Sequence, residues 1–284
     1  MLQETDNEQR VVIVGVGLIG GSIAAALRVR LPECRIAGVG RNAERLQAAA
    51  DAGLLDEFST QVTDFIVGEN SLTVVCLPVD QIARCVRQVC LHAGSNCVVT
   101  DAGSIKGAIY ESLRSDGGVP VQFVGSHPIA GSEQSGFEFA DADLYVQRTC
   151  VVTAESAAPA LVRRVERFWK LLGSSVALMD ADEHDRTLAV TSHLPHAMAC
   201  ATAGVLDPAL LPFSGTGFRD TTRVAAGSVD VWQSIMNGNR THLVNAIDRA
   251  IVSLQQLRTA VHVGDQAALR AWLEHAASVR RQLH

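Results

Sequence analysis

Three observations predict an open α/β domain followed by an all-helical one. β-branched runs alternate with helical patterns through the first 180 residues, a Gly-x-Gly-x-x-Gly turn follows the first of those runs, and β-rich runs stop after Asp180. A length of 284 residues accommodates two such units, 1–180 and 181–284. With 24 basic and 30 acidic residues the net charge is −6, which argues against nucleic acid or an anionic membrane as partner and for a small molecule. Hydrophobic residues make up 48% and charged residues 19%, which excludes disorder, and no apolar run reaches the roughly 18 residues that span a bilayer.

Residues 11–14, 35–39, 72–77, 97–100 and 121–124 are short β-branched runs and read as strands. The stretches between them, 18–30, 43–52, 79–91 and 105–113, carry helical spacing, and Gly53 closes the second. Strands separated by helices of this length are crossovers, so the sheet is expected to be mostly parallel with helices on both faces. A loop at 126–136, a strand at 149–153, a helix at 159–172 and a strand at 175–178 complete this part. Beyond it, 183–206, 222–227, 231–263 and 266–282 place apolar residues three and four apart and read as helices. In the long one, Ile235, Leu243, Ile247, Ile251, Leu254 and Leu257 fall near one face.

The seven cysteines are odd in number and form no CxxC pair, so they read as reduced packing residues. No metal site is expected: His193 and His196 flank Pro195 without a carboxylate placed as third ligand. The polar amino terminus shows no secretory signal, and a cytoplasmic location is expected.

The glycine turn comprises Gly15, Gly17 and Gly20, with Leu18 and Ile19 opening the following helix. In a Rossmann-type unit the first glycine permits the tight turn, the second lets the backbone approach a pyrophosphate, and the third brings helix against strand. The acidic residue that would hold an adenosine ribose belongs about 20 residues past the last glycine. Gly40 stands there and Arg41 follows, a pairing that favours NADP over NAD. Leu77, Pro78 and Asp101, at or past strand ends, complete the expected cofactor contacts.

Ser104, past the strand at 97–100, is either a ligand contact or the N-cap of the next helix. Histidine takes a proton readily near neutral pH, and His127 sits between Ser126 and a run of small residues that leaves room for a ligand. The helical part adds Ser192-His193-Leu194-Pro195-His196 and the segment from Gly217 to Arg223.

In this order and spacing, GVGLIGGS, TDAGSIK, SHPIAGSE, SHLPH and GFRDTTR resemble the prephenate and arogenate dehydrogenase family of tyrosine biosynthesis, from Val11 to about Asn245. The resemblance implies that His127 removes the proton of a ring hydroxyl as hydride leaves, with Ser104 supporting both. It implies that Arg223 binds a substrate carboxylate, that His196 lines the side-chain end of the pocket, and that Glu133 gates or orients the site. Ser126 and Trp232 are further substrate contacts on the same basis, although the proline that relatives often carry before Trp232 is absent here. It implies a homodimer paired through the last helices.

Prephenate is the expected substrate and arogenate the alternative; a dinucleotide-sensing regulator is the reading from another class. β-Hydroxyacid dehydrogenases use a lysine of the helical domain, but Lys106 and Lys170 are the only lysines and both precede it. The chain ends at His284 without room for a regulatory domain, so a monofunctional enzyme is expected.

Overall fold

The computed structural model describes residues 8–65, 71–94, 96–131, 134–155 and 157–282. Its sheet strands are β1 (Arg10–Val14), β2 (Arg35–Val39), β3 (Glu57–Ser59), β4 (Ser71–Val75), β5 (Val98–Asp101), β6 (Phe123–Pro128), β7 (Thr149–Thr153) and β8 (Ser175–Leu178). The helices among them are α1 (Leu18–Arg30), α2 (Ala43–Asp51), α3 (Val79–His92), α4 (Gly107–Ser115) and α5 (Pro159–Leu171).

The strands form one sheet in the order β3-β2-β1-β4-β5-β6-β7-β8, parallel except where β6 meets β7. From β1 the chain turns outward through β2 and β3, then returns to the other side for β4. That reversal places a ligand crevice at the carboxyl ends of β1 and β4.

β1 is buried on both faces, which accounts for its unbroken apolar run. Val11 and Ile13 join Leu27, Leu72 and Trp169 on one side of the sheet, while Val12 and Val14 join Val86, Tyr110 and Phe123 on the other. Pro159 opens α5 in a position where its missing N–H is harmless, and α5 buries Val165, Phe168 and Trp169. Among the described residues no cysteine is in a disulfide.

The second half is helical: α6 (Ala181–Leu188), α7 (Leu194–Gly204), α8 (Thr216–Thr222), α9 (Val229–Gly238), α10 (Arg240–Val263) and α11 (Gln266–Arg280). Asp180 caps α6 by accepting the N–H of Glu183 at 2.7 Å. Gly264, at φ +72°, ends α10 in the left-handed region. Among the described residues no helix is long and apolar enough to cross a membrane.

Several elements depart from the sequence-based expectations. The strand expected at 121–124 runs on to Pro128, because its second half pairs with β7, His127 opposite Val151. Ser126 and His127 therefore lie in a strand and not in a loop. β3, a three-residue edge strand, was too short to leave a pattern. The helix expected at 183–206 is interrupted by a π-helical turn, Ala189–His193, and the one at 231–263 breaks at Asn239. α8 precedes the helix expected at 222–227, which is a 3₁₀ turn, Arg223–Ala226. The expected apolar face of α10 divides: Leu243 is buried, whereas Ile251 and Leu254 are exposed.

Candidate active site

The crevice at the ends of β1, β2 and β4 is a cavity of about 830 Å³. Gly15, Gly17, Arg41, Leu77 and Pro78 line it, joined by Arg45, Asp80 and Arg84. Each glycine of the turn has a separate steric reason. At Gly15, φ is +99° and a Cβ would lie 2.3 Å from the carbonyl oxygen of Cys76; at Gly20 a Cβ would lie 2.1 Å from that of Gly15. At Gly17 a Cβ would meet nothing within 4 Å, so the glycine leaves open space at the amino end of α1, where no side chain caps the helix. Leu18 and Ile19 contribute the first turn of that helix. A helix start with free N–H groups over an open cradle fits the pyrophosphate of a dinucleotide. No carboxylate stands at the end of β2, where Gly40 and Arg41 are found.

Asp101 requires a correction as an expected cofactor contact. It is fully buried, accepts the N–H groups of Ser126 at 3.0 Å and Gly103 at 2.9 Å, and pairs with the ammonium of Lys106, which also donates to the Ser126 carbonyl at 2.7 Å. Its carboxylate is used up inside the protein and shapes the β5–α4 loop. Ser126 is likewise not a substrate contact. Alternation along β6 turns it to the face opposite His127, where its hydroxyl donates to the Asp101 carbonyl and accepts from Trp169 at 2.9 Å.

Ser104 is not the N-cap of α4. Asp185 of α6 does that work from 79 positions away, accepting the N–H of Lys106 and of Gly107 at 2.8 Å each. The half-buried Ser104 hydroxyl is outside the cap.

His127 faces the helical half, with Nδ1 2.8 Å from Nε2 of His184. Nδ1 of His184 lies 2.7 Å from Asp185. Burial, followed by the neighbouring His184, Lys106 and His193, holds the His127 pKa well below the ordinary 6.5, so the ring is neutral at pH 7. His193, in the π turn, is buried and pushed down to about 4, chiefly by desolvation. It is 3.1 Å from the amide nitrogen of Asn239. His196 stacks on Trp232, which lies in the first turn of α9; the helix forms there without the proline of relatives. Arg223 is exposed, on the 3₁₀ turn that packs against α7, the helix of His196. Glu133 lies outside the described residues.

His184, Asp185 and Asn239 were missed in the sequence. The signal was present for two of them: α6 buries Ala181, His184, Asp185 and Leu188, an i, i+3, i+4, i+7 face with polar residues at two core positions.

Residues 23–178 match the family described as prephenate dehydrogenase, nucleotide-binding domain, and residues 180–275 match prephenate dehydrogenase, dimerization domain. The chain belongs to the prephenate dehydrogenase family. Among family members, cyclohexadienyl dehydrogenase of Zymomonas mobilis is 30% identical over 94% of this chain and 92% of its own length. The crystal structure of prephenate dehydrogenase from Aquifex aeolicus in complex with hydroxyphenyl propionate and NAD+ superposes with a TM-score of 0.89 at 30% identity, covering 98% of this chain and 99% of that one. Synechocystis arogenate dehydrogenase superposes with a TM-score of 0.81 at 26% identity, over 97% and 100% of the two chains. The family is one of nicotinamide-dependent oxidoreductases, which sets aside a purely sensory role.

Proposed function

We propose that this chain converts prephenate to 4-hydroxyphenylpyruvate by oxidative decarboxylation, with NADP as the preferred hydride acceptor. The observation that carries the reading is the neutral, buried His127 at the carboxyl end of the sheet, facing the helices of His193 and His196. The nicotinamide, when bound along the glycine turn, supplies the acceptor for hydride. His127 takes the ring hydroxyl proton at Nε2 as hydride leaves the same carbon. The bond to the ring carboxylate breaks, carbon dioxide departs, and the electron pair completes an aromatic phenolate, which recovers the proton. Aromatisation drives the reaction, so the residues need only position, polarise and deprotonate.

Ser104 supports the hydroxyl in this scheme, Arg223 binds a carboxylate as an ion pair, and His196 with Trp232 forms the side-chain end of the pocket. Glu133 keeps its proposed gating role. Gly40 and Arg41, with Arg45 and Arg84 in the same cavity, support NADP. The two domains meet near Asp180 and enclose the site in a cytoplasmic enzyme. Exposed Ile251, Leu254, Leu273 and Val279 on the last two helices support a homodimer. Similarity to an arogenate dehydrogenase supports arogenate as a second substrate. Incubating the purified chain with NADP and either compound decides between them: prephenate should yield reduced cofactor and 4-hydroxyphenylpyruvate, and activity confined to arogenate would reverse the assignment.

A further inference from the structure

His127, His184 and Asp185 form a hydrogen-bonded line from the sheet into the helical half. Its far end has a fixed sense. One oxygen of Asp185 accepts the N–H of Lys106 and the other that of Gly107, each at 2.8 Å. A carboxylate engaged in this way is an acceptor, so His184 donates to it from Nδ1 across 2.7 Å. With that proton on Nδ1, His184 presents the lone pair of Nε2, and the geometry assigns His127 as its donor from Nδ1 across 2.8 Å. The proton of His127 is thereby on Nδ1, and its lone pair on Nε2.

A second chain starts from the same residue. The amide nitrogen of Asn239 donates to the backbone carbonyl of Asp185 at 2.7 Å, which assigns that atom as nitrogen, and its other contact is Nδ1 of His193 at 3.1 Å. An amide NH₂ only donates, so His193 accepts at Nδ1 and carries its proton on Nε2. Asn239 is 2% exposed, and it occupies the break between α9 and α10.

We propose that His184, Asp185 and Asn239 are positioning residues that set the tautomers of two buried histidines in opposite senses, leaving His127 a proton acceptor and His193 a donor at their Nε2 atoms. This rests on the reading of His127 as the base. Neither tautomer is left to solvent: His127, His184 and His193 are at most 8% exposed. Asp185 orders both histidines, His127 through its carboxylate and His184, and His193 through its backbone carbonyl and Asn239; its carboxylate also caps α4, so the helical half imposes the protonation pattern and holds the Ser104 loop through one residue. A base held in the wrong tautomer loses up to about 10⁴-fold in turnover even when its ring stays in place.

Long-range ¹⁵N–¹H NMR of histidine-labelled protein without ligands, assigned with His127→Asn, tests the assignment independently of activity. His127 should show Nδ1–H with unprotonated Nε2, and His193 the reverse. His184→Phe should move His127 to the Nε2–H form favoured in water and lower kcat at least about 10²-fold, while KM for substrate and cofactor changes less than about threefold. His184→Gln, whose amide can accept from His127 and donate to Asp185, should retain kcat within about tenfold of the parent. An Nε2–H tautomer of His127 in the parent overturns the proposal even if the variants fail to fold, and so does His184→Phe with parental kcat. Should the parent show the expected tautomers while His127→Asn turns over normally, the assignment of the base fails and the tautomer network stands.

Discussion

The indole of Trp232 lies flat on the imidazole of His196, with ring centroids 3.5 Å apart and planes 11° from parallel. Gly227 makes room for it, since a Cβ there would lie 2.7 Å from the indole nitrogen. The stack encloses His196 and leaves its Nδ1 buried without a hydrogen-bond partner among the described residues. An unpaired buried polar group costs about 1–3 kcal/mol. His196→Phe keeps a stacking ring and removes that atom, so it should melt no lower than the parent and gain up to about 1 kcal/mol. KM for prephenate should rise about tenfold through loss of one polar contact. Calorimetry and steady-state kinetics check both effects, and a lower Tm with unchanged KM would make His196 a packing residue.

Arg41 lines the cofactor cavity directly after Gly40, the position where an acidic residue would select NAD. Arg41→Ala should reduce kcat/KM with NADP about tenfold or more, the worth of a charge-assisted contact to phosphate, and leave NAD almost unchanged. A parent enzyme that prefers NAD would refute the cofactor assignment at once.

Two glycines of the same turn should respond differently to one added methyl group. At Gly20 a Cβ meets the backbone of Gly15 and the side chain of Ile13, so Gly20→Ala should destabilise the first βα unit and lower Tm. Gly17→Ala meets no protein atom, so it should melt like the parent while cofactor KM rises about tenfold. Equal thermal behaviour of the two variants would contradict the steric assignment.

How far the sequence disclosed these sites depends on the distance over which each is built. Gly15, Gly17, Gly20 and Arg41 lie within one βα unit and its next strand, so local turn chemistry sufficed to find them. Ser126 and His127 were placed in a loop because the pairing that extends β6 comes from Thr149–Thr153, and only that pairing shows that the two side chains point apart. The cap of α4 was sought in Ser104, two positions before the helix's own capping residue, but a carboxylate from the other half of the chain provides it. Asn239 was hidden inside an apolar repeat that reads as one helix; Gly238, whose Cβ would lie 2.7 Å from Ile105, marks where close packing interrupts it.

Acid should weaken the fold through the same histidines. Desolvation holds the pKa of His127, His193 and His196 below 6.5, so the unfolded chain binds protons first as pH falls through that value. Their contribution to stability is complete above pH 6.5 and declines below it, ending for His193 at about 4. His193 alone accounts for a loss on the order of 3 kcal/mol across that window. Urea titrations at pH 7.5, 6 and 5 should show the decline, with a shallower one in His193→Gln. Parallel curves for the two proteins would mean that His193 titrates in the folded state as it does in water.

Turnover of His127→Asn with saturating prephenate and NADP bears on everything assigned to the cleft. Asparagine preserves hydrogen bonding at the ring's Nδ1 side and removes the accepting nitrogen, so kcat should fall by about 10²- to 10⁴-fold while cofactor binding stays within a few-fold of the parent. Turnover within a few-fold of the parent would contradict His127 as the base.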